Sequence, residues 1–569
     1  MSHTEKELLA RIADLQSEIK KIKNRKKYGL VWEDKPEDVV LQCETNIPIL
    51  REVKTRKVVS GNALPTNILI EGDNYHSLSV LNYTHRGAVD VIYADPPYNT
   101  GNKSWKYNND YVEKEDSFRH SKWISYIDKR VRLAKNLLKE SGLLIFAIDD
   151  YEIHTLRLLL DEIMGEDNRL GTVVVVHNPG GRQDEQYFAT AHEYMLVYAK
   201  NRDQAVVKHL DQSENKIKDY QFSDSISSYK LREYRRSGAN SRRTDRRNLW
   251  YPIYINPKNL ESSISKMKGW DEIWPIDNEG TERVWRWNAK TFDEKKTDYI
   301  QIKKYSGGYR LYVKERSIHY KGEKSKTFWH KPEYSAVNGT AILKEIFSEK
   351  SDKIFDFPKS PFLMRDVLLV ASKEDSTILD FFAGSGTTGH AALELNKQDG
   401  GNRKFILCTN NENKICEEVT YERIKRVMKG YKNKKGEKVE GLGGNLSYFK
   451  TDLVSVDKLR RISDESKIKV TYQAGEMIAL REDTLNEVER NDWWQIFEGN
   501  GKLTAIYFTE NKAKLKELIK LLEKKNRPTT LYVFGWGKNE YKNDYSTINI
   551  RVEDIPEPIL EVYKEINRI

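Results

Sequence analysis

Several kinds of protein are excluded by what the sequence has little of. Three cysteines, Cys43, Cys408 and Cys416, are too few for a disulfide framework, and none has zinc-ligand spacing around it. No apolar run approaches the roughly 20 residues that span a bilayer. The first residues contain no apolar signal segment, so a cytoplasmic protein is expected. The charge excess is also small. With 96 Lys and Arg against 86 Asp and Glu, the net charge of +10 over 569 residues hints at a polyanionic partner and no more. Aromatic residues are plentiful instead, with 12 Trp and 32 Tyr, several of them among arginines.

A chain of this length is too large for one core and is expected to divide into several units. Within residues 1–60, Leu8, Ile12, Leu15, Ile19 and Ile22 lie on one seam of a helix over 4–27. That stripe suits either packing on its own domain or a dimer contact. Over 61–200 strand-like and helical stretches alternate: strands end at Asp73, Asp95 and Ile148, and helices cover about 74–83, 123–138 and 152–164. The same rhythm resumes over 351–450. Alternation of this kind predicts a parallel, doubly wound α/β sheet whose ligands sit at the carboxyl ends of the strands.

Between these stretches, over 201–350, the rhythm is lost. Lys230, Arg232, Arg235, Arg236, Arg242, Arg243, Arg246 and Arg247 crowd a segment that Gly238 and Asn240 mark as loop, and Trp250, Tyr251, Tyr254, Trp270 and Trp274 follow. A solvated loop accounts for the charges. The adjoining rings favour nucleic acid, because guanidiniums suit phosphates and base edges and rings suit unstacked bases. Residues 430–445 read as a flexible basic connector, and 451–569 as a separate, smaller α/β unit for assembly or partner binding.

Two strand ends carry chemistry. The apolar run Val89–Ala94 stops at Asp95-Pro96-Pro97-Tyr98, where the prolines fix φ and remove two backbone donors. This leaves a stiff platform bearing one carboxylate and one ring. Strand 376–382 enters Ala383-Gly384-Ser385-Gly386-Thr387-Thr388 and then a helix, which brings backbone amides and a helix N-terminus close to a ligand. The turn lacks the phosphate-loop Gly-Lys-Ser/Thr and the third dinucleotide-motif glycine. Asp380 before it suits a cationic group. Asp73 also ends a strand, a position that serves equally as a helix N-cap.

The tetrad Asp95 to Tyr98 and the turn Asp380-Phe381-Phe382-Ala383-Gly384-Ser385-Gly386 resemble motifs IV and I of the amino-methyltransferases. Their order, IV before I with a recognition region between, resembles the β class of DNA methyltransferases. Tyr98-Asn99-Thr100-Gly101, Ile148-Asp149-Asp150, Phe357-Pro358-Lys359 and Cys408-Thr409-Asn410-Asn411-Glu412-Asn413 are similar to stretches of Type III restriction-modification Mod subunits. The resemblance covers about 65–450 and implies a circularly permuted Rossmann-like fold that transfers methyl groups from S-adenosylmethionine to a flipped base in double-stranded DNA.

By resemblance, Asp95 and the Pro96 carbonyl accept hydrogen bonds from the amino group of adenine, Pro97 stiffens the tetrad, and Tyr98 stacks on the base. An Asp at the first tetrad position points to adenine N6, and Ser there to cytosine N4. The cofactor set implied is Asp73, Asn99, Thr100, Lys359, Ser360, Asp380, Phe382, Ala383, Gly384, Ser385, Gly386, Thr387 and Thr388. Relatives end the strand after motif I with an acid for the ribose; Thr409 stands here, so Asn411 or Glu412 is expected to take that part. DNA contact is expected from Arg232, Arg235, Arg236, Arg242, Arg243, Arg246, Arg247 and Trp250. Alternatives are a cytosine-N4 enzyme, or chiefly a recognition subunit for a separate nuclease. The chain has no helicase or nuclease motif, so cleavage would belong to a partner, a restriction subunit; a homodimer is the other partnership considered. No metal is expected.

Overall fold

The computed structural model describes residues 32–569 apart from 62–63, 101, 109, 183–185, 211–218, 320–321, 351–353, 460–461, 536–540, 542–544 and 568–569. The helix expected over 4–27, with its apolar seam, lies outside the described residues. The chain divides into two compact units, 209–325 and the remainder.

Among the described residues the larger unit is built on a ten-stranded sheet: β1 (Asn46–Glu52), β2 (Thr66–Glu71), β3 (Val89–Ala94), β4 (Leu138–Ile148), β5 (Arg169–Val176), β6 (His192–Ala199), β7 (Phe328–Trp329), β8 (Thr377–Asp380), β9 (Lys404–Thr409) and β10 (Asn445–Ser455). Their order is β1-β10-β2-β9-β8-β3-β4-β6-β5-β7. The central run from β10 to β4 is parallel. Its strands are apolar almost throughout, as both faces of a parallel sheet demand: Leu69, Ile70, Val91, Ile92, Ile378, Leu379 and Leu407 are fully buried. Helices α1 (Asn74–Thr84), α2 (Arg119–Leu137), α3 (Ile153–Met164), α4 (Ala336–Ile346), α5 (Pro361–Ala371) and α6 (Thr387–Asp399) accompany it. The helix expected over about 123–138 lies within α2, which buries Trp123, Ile124, Ile127, Val131, Leu133, Ala134 and Leu137.

The sheet is mixed, where alternation had predicted a parallel one. β6 runs antiparallel to both β4 and β5, and β1 runs antiparallel to β10. The cause is connection length. Among the described residues between β5 and β6 there is no helix, and without a crossover the chain can only turn back.

The stretch 430–445 is an ordered link, since Gly430–Lys432 pairs with Lys438–Glu440. The next residues do not open a separate unit either, because β10 is inserted between β1 and β2. Beyond it lies a five-stranded sheet, but Phe534, Ile555, Ile559, Leu560 and Tyr563 share one core with Leu78 and Leu81 of α1. The Tyr563 hydroxyl donates to the Pro48 carbonyl at 2.5 Å.

Residues 209–325 form the second unit, narrower than the 201–350 read from the sequence. It holds a four-stranded and a three-stranded antiparallel sheet and the helix Ala289–Tyr299. Tyr234, Trp285, Phe292, Ile253, Leu311 and Val313 make its core.

Candidate active site

Five neighbouring strands of the parallel run, β2, β9, β8, β3 and β4, end on one edge. In register Leu407 pairs with Asp380, Asp380 with Tyr93, and Ala94 with Phe146. Asp73, Thr409 to Glu412, the Gly-rich turn, the Asp95 tetrad and Asp149 therefore emerge side by side, although Asp95 and Asp380 are 285 residues apart in the chain.

Around Asp95 the side chains form a closed polar array. The Tyr98 hydroxyl lies 2.7 Å from Asp95 Oδ1 and 3.1 Å from Glu193 Oε2. Lys359 Nζ donates to that hydroxyl at 2.6 Å and to Glu193 Oε2 at 2.5 Å, and stands 3.3 Å from Asp95 Oδ1. Burial pushes the Asp95 carboxyl above its ordinary range, Lys359 works against this, and the charge of Glu193 adds to it. For Glu193 burial also disfavours ionisation, but the Lys359 ammonium outweighs it and the carboxyl titrates below its usual range. Burial and the two carboxylates hold the Tyr98 hydroxyl protonated, a donor throughout the physiological range.

The parts of this array are fixed from behind. Trp123, fully buried, donates its indole N–H to the Pro97 carbonyl at 2.7 Å. Asn99 adopts φ 56° and is itself buried, its amide donating to Glu152 at 2.5 Å and to the Arg119 carbonyl at 3.4 Å. Thr100 beside it is half-buried. Lys359 is placed by its backbone: a Cβ on Gly339 of α4 would lie 2.1 Å from the Pro358 carbonyl and 2.8 Å from that of Lys359, so only glycine lets α4 approach so closely. Ser360 is buried and donates to the Glu333 carbonyl at 2.6 Å.

The Gly-rich turn is braced from within. Asp380 accepts from the Phe382 amide at 3.0 Å and from the Thr388 hydroxyl at 2.5 Å, and burial raises its carboxyl to about 7. Gly384 and Gly386 take φ 47° and 78°, which strain any side-chain-bearing residue. Ala383 N bonds the Cys408 carbonyl, and the Gly384 carbonyl accepts from Thr420. Beneath the turn lies Arg423, fully buried, donating to Ser385 Oγ at 3.0 Å and Thr387 Oγ1 at 2.9 Å. Burial lowers its guanidinium to about 10. No side chain caps the first turn of α6, whose leading amides have no intrahelical acceptor. A turn of left-handed glycines, helix-end amides without a side-chain cap and a buried carboxylate suits a ligand that carries both a carboxylate and a cation.

Asp73 is a helix N-cap, accepting from Tyr75 N at 2.7 Å, and Arg130 stands 3.3 Å from the same oxygen. Arg130 is buried against Glu37 and under the Tyr126 ring, 3.5 Å from its centroid. Phe382 packs near Tyr126, ring centroids 6.2 Å apart. Asn411 accepts from Glu417 N at 3.2 Å at the start of the turn that carries Glu412. Sequence reasoning missed Glu193, Trp123, Arg130 and Arg423. Glu193 left one trace, an acid near the start of an otherwise apolar strand; the others sit in helices and gave none.

In the second unit the cationic side chains are at the surface. Arg242, Arg243, Arg246 and Arg247 are exposed, and Arg235 and Arg236 half-buried. Arg232 pairs with Glu315 at 2.8 Å, Arg235 with Glu233 at 2.7 Å and Arg243 with Glu282 at 3.1 Å. Trp250 stacks on Trp274, 5.0 Å between centroids, and under the Arg243 guanidinium at 5.0 Å. Trp285, by contrast, is stacked inside the core on Tyr234.

Comparison with known proteins bears on this arrangement. The Type II methyltransferase M.KpnI of Klebsiella pneumoniae is 38% identical over 342 residues, 60% of this chain and 79% of that protein. The EcoPI Mod subunit of a Type III restriction-modification enzyme, from Escherichia phage P1, is 32% identical over 71% of this chain and 69% of its own length. The StyLTI Mod subunit of Salmonella typhimurium is 28% identical over 68% and 59% respectively. Residues 89–421, which include both strand-end motifs, match the N6/N4 methyltransferase family described as DNA methylase. The chain belongs to this family of DNA methylases, which transfer the methyl group of S-adenosylmethionine to DNA.

Proposed function

We propose that the chain methylates the N6 amino group of adenine in a specific sequence of double-stranded DNA, within a restriction-modification system of the cytosol. The observation that carries this reading is Asp95 at the end of β3, next in the sheet to the Gly-rich turn at the end of β8, with Tyr98 and Lys359 about its carboxylate. S-adenosylmethionine, when bound, supplies an electrophilic methyl group. Asp380 and the α6 amides would hold its amino-acid end; Asp73 and Asn411 or Glu412 would hold the nucleoside end.

Asp95 and the Pro96 carbonyl accept the two N–H groups of the adenine, which turns the nitrogen lone pair out of the ring plane and towards the methyl donor. Tyr98 stacks on the everted ring, worth about 1–3 kcal/mol against the few kcal/mol that eversion costs. Bonding of the donor methyl carbon to N6 would break the carbon–sulfur bond, with the electron pair left on sulfur. N6 would then pass one proton to solvent water, and no covalent enzyme intermediate is needed. Fixing the two reactants in line supplies much of the rate.

The exposed arginines and the Trp250–Trp274 pair of 209–325 take the DNA. The relatives described as Mod subunits of Type III restriction-modification enzymes support a companion restriction subunit for cleavage. Nuclease digestion and mass spectrometry of DNA modified by the enzyme test the reading: N6-methyladenine is expected, and N4-methylcytosine would overturn it.

A further inference from the structure

Glu193 was not among the residues the motifs brought forward. It lies on β6, which runs antiparallel to the strands bearing the motifs, and is only 3% exposed. Its hydrogen bonds go to Lys359 and Tyr98, both members of the Asp95 array. We propose that Glu193 is a positioning residue that keeps the Asp95 carboxylate available to the amino group of the target base, by holding the Lys359 ammonium and by offering the Tyr98 hydroxyl a second acceptor. The inference rests on the adenine-N6 reading above and concerns the same site.

Two geometric facts support it. The ammonium is not shared equally: it stands 2.5 Å from Glu193 and 3.3 Å from Asp95. A cation left with Asp95 alone would close on it and take the oxygen that an adenine N–H needs. The Tyr98 hydroxyl, in turn, has one proton and two carboxylates in reach, Asp95 at 2.7 Å and Glu193 at 3.1 Å. When the base enters, that proton turns to Glu193 and Asp95 passes to the substrate, with no heavy atom displaced. The unpaired negative charge of two carboxylates against one ammonium faces the nitrogen on which positive charge develops, where a preorganised charge acts most strongly.

The charged and titratable groups facing Asp95 are Lys359, Glu193, Tyr98, Tyr93 and Asp380. Those facing Glu193 are Asp95, Lys359, Tyr98, His177, Tyr93 and Asp149. The like charge of Glu193 raises the Asp95 carboxyl and Lys359 lowers it. Replacing Glu193 by Gln removes the first influence and tightens the second, so Asp95 ionises at lower pH while its acceptor oxygen is occupied.

The experiment is single-turnover methyl transfer to a duplex carrying the target site, measured over pH for wild type, Glu193→Gln, Lys359→Met and the Glu193→Gln/Lys359→Met double variant. A thermal melt followed by circular dichroism on each variant shows that it is folded. Glu193→Gln is expected to lose about a hundredfold in rate, to keep its S-adenosylmethionine affinity within about twofold, and to show its acid limb at lower pH. The double variant is expected to transfer faster than Glu193→Gln, because no ammonium remains to capture Asp95. A wild-type rate in Glu193→Gln, a loss of rate with an unmoved acid limb, or a double variant slower than Glu193→Gln would each overturn the inference. Failure of wild type to methylate adenine at all would instead sink the reading on which it stands.

Discussion

At the carboxyl edge of the sheet, Lys359 is held between Glu193 and Asp95, with side chains 15%, 4% and 22% exposed. In the 209–325 unit, Arg243 and Glu282 pair at 3.1 Å with both side chains 50% exposed. The two regions use the same chemistry at different dielectrics. A charge taken out of water must be matched, so each member of the buried array has a set partner and a shifted titration. A pair left in water contributes about 0–1 kcal/mol and exchanges its partner readily. An arginine on a surface acid can therefore pass to a phosphate at little cost. The Asp95 array cannot be rearranged so freely, as suits a site that must aim a single nitrogen.

The sharpest way to break this contrast is Asp95→Ala. Methyl transfer is expected to fall on the order of a thousandfold or more, while S-adenosylmethionine binding survives; retained tritium transfer from labelled cofactor would remove Asp95 from its proposed role. A smaller effect is expected from pH. The Asp380 carboxyl, at about 7 in the free protein, is ionised best beside a cation. Cofactor affinity should then be full above this value and fall about tenfold from roughly pH 8 to roughly pH 6, as the carboxyl takes up its proton. Calorimetric titration across that range checks the trend, and Asp380→Asn should flatten it.

On the exposed side, the Arg242→Ala/Arg243→Ala double variant should lower the slope of log affinity against log salt by about 2. The transfer rate at saturating DNA should stay unchanged. An unaltered slope would make that loop a merely solvated one. The smallest effect belongs to Arg232→Ala, which breaks the exposed pair with Glu315. A thermal melt should move by less than about 1 kcal/mol in stability; a larger loss would mean that this surface pair behaves like the buried ones.

Much of the α/β framework was legible because apolar periodicity reports burial directly: the helices expected over about 74–83, 123–138 and 152–164 are α1, most of α2, and α3. The antiparallel β5 and β6 were not, since a strand's direction is not written in its own residues but follows from what connects it. The same holds for β10, which reads as the start of a new domain and pairs instead with β1 and β2. Trp285 follows the basic loop in the same aromatic-rich stretch as Trp250 and Trp274, and its place in the core could not be seen from its neighbours in sequence.

The sequence by itself determined the two strand ends, because an Asp before two prolines and a Gly-x-Gly turn before a helix dictate their own backbone whatever surrounds them. It also determined which side chains those ends would carry. Only the tertiary structure decided what they meet. Lys359 reaches Asp95 across 264 residues of chain because Gly339 lets α4 touch its backbone. Glu193 enters from an antiparallel strand, and Arg423 supports the turn from a helix beneath it. Such partners are chosen by burial, which obliges each polar group to find another, and that obligation has no signature in local sequence.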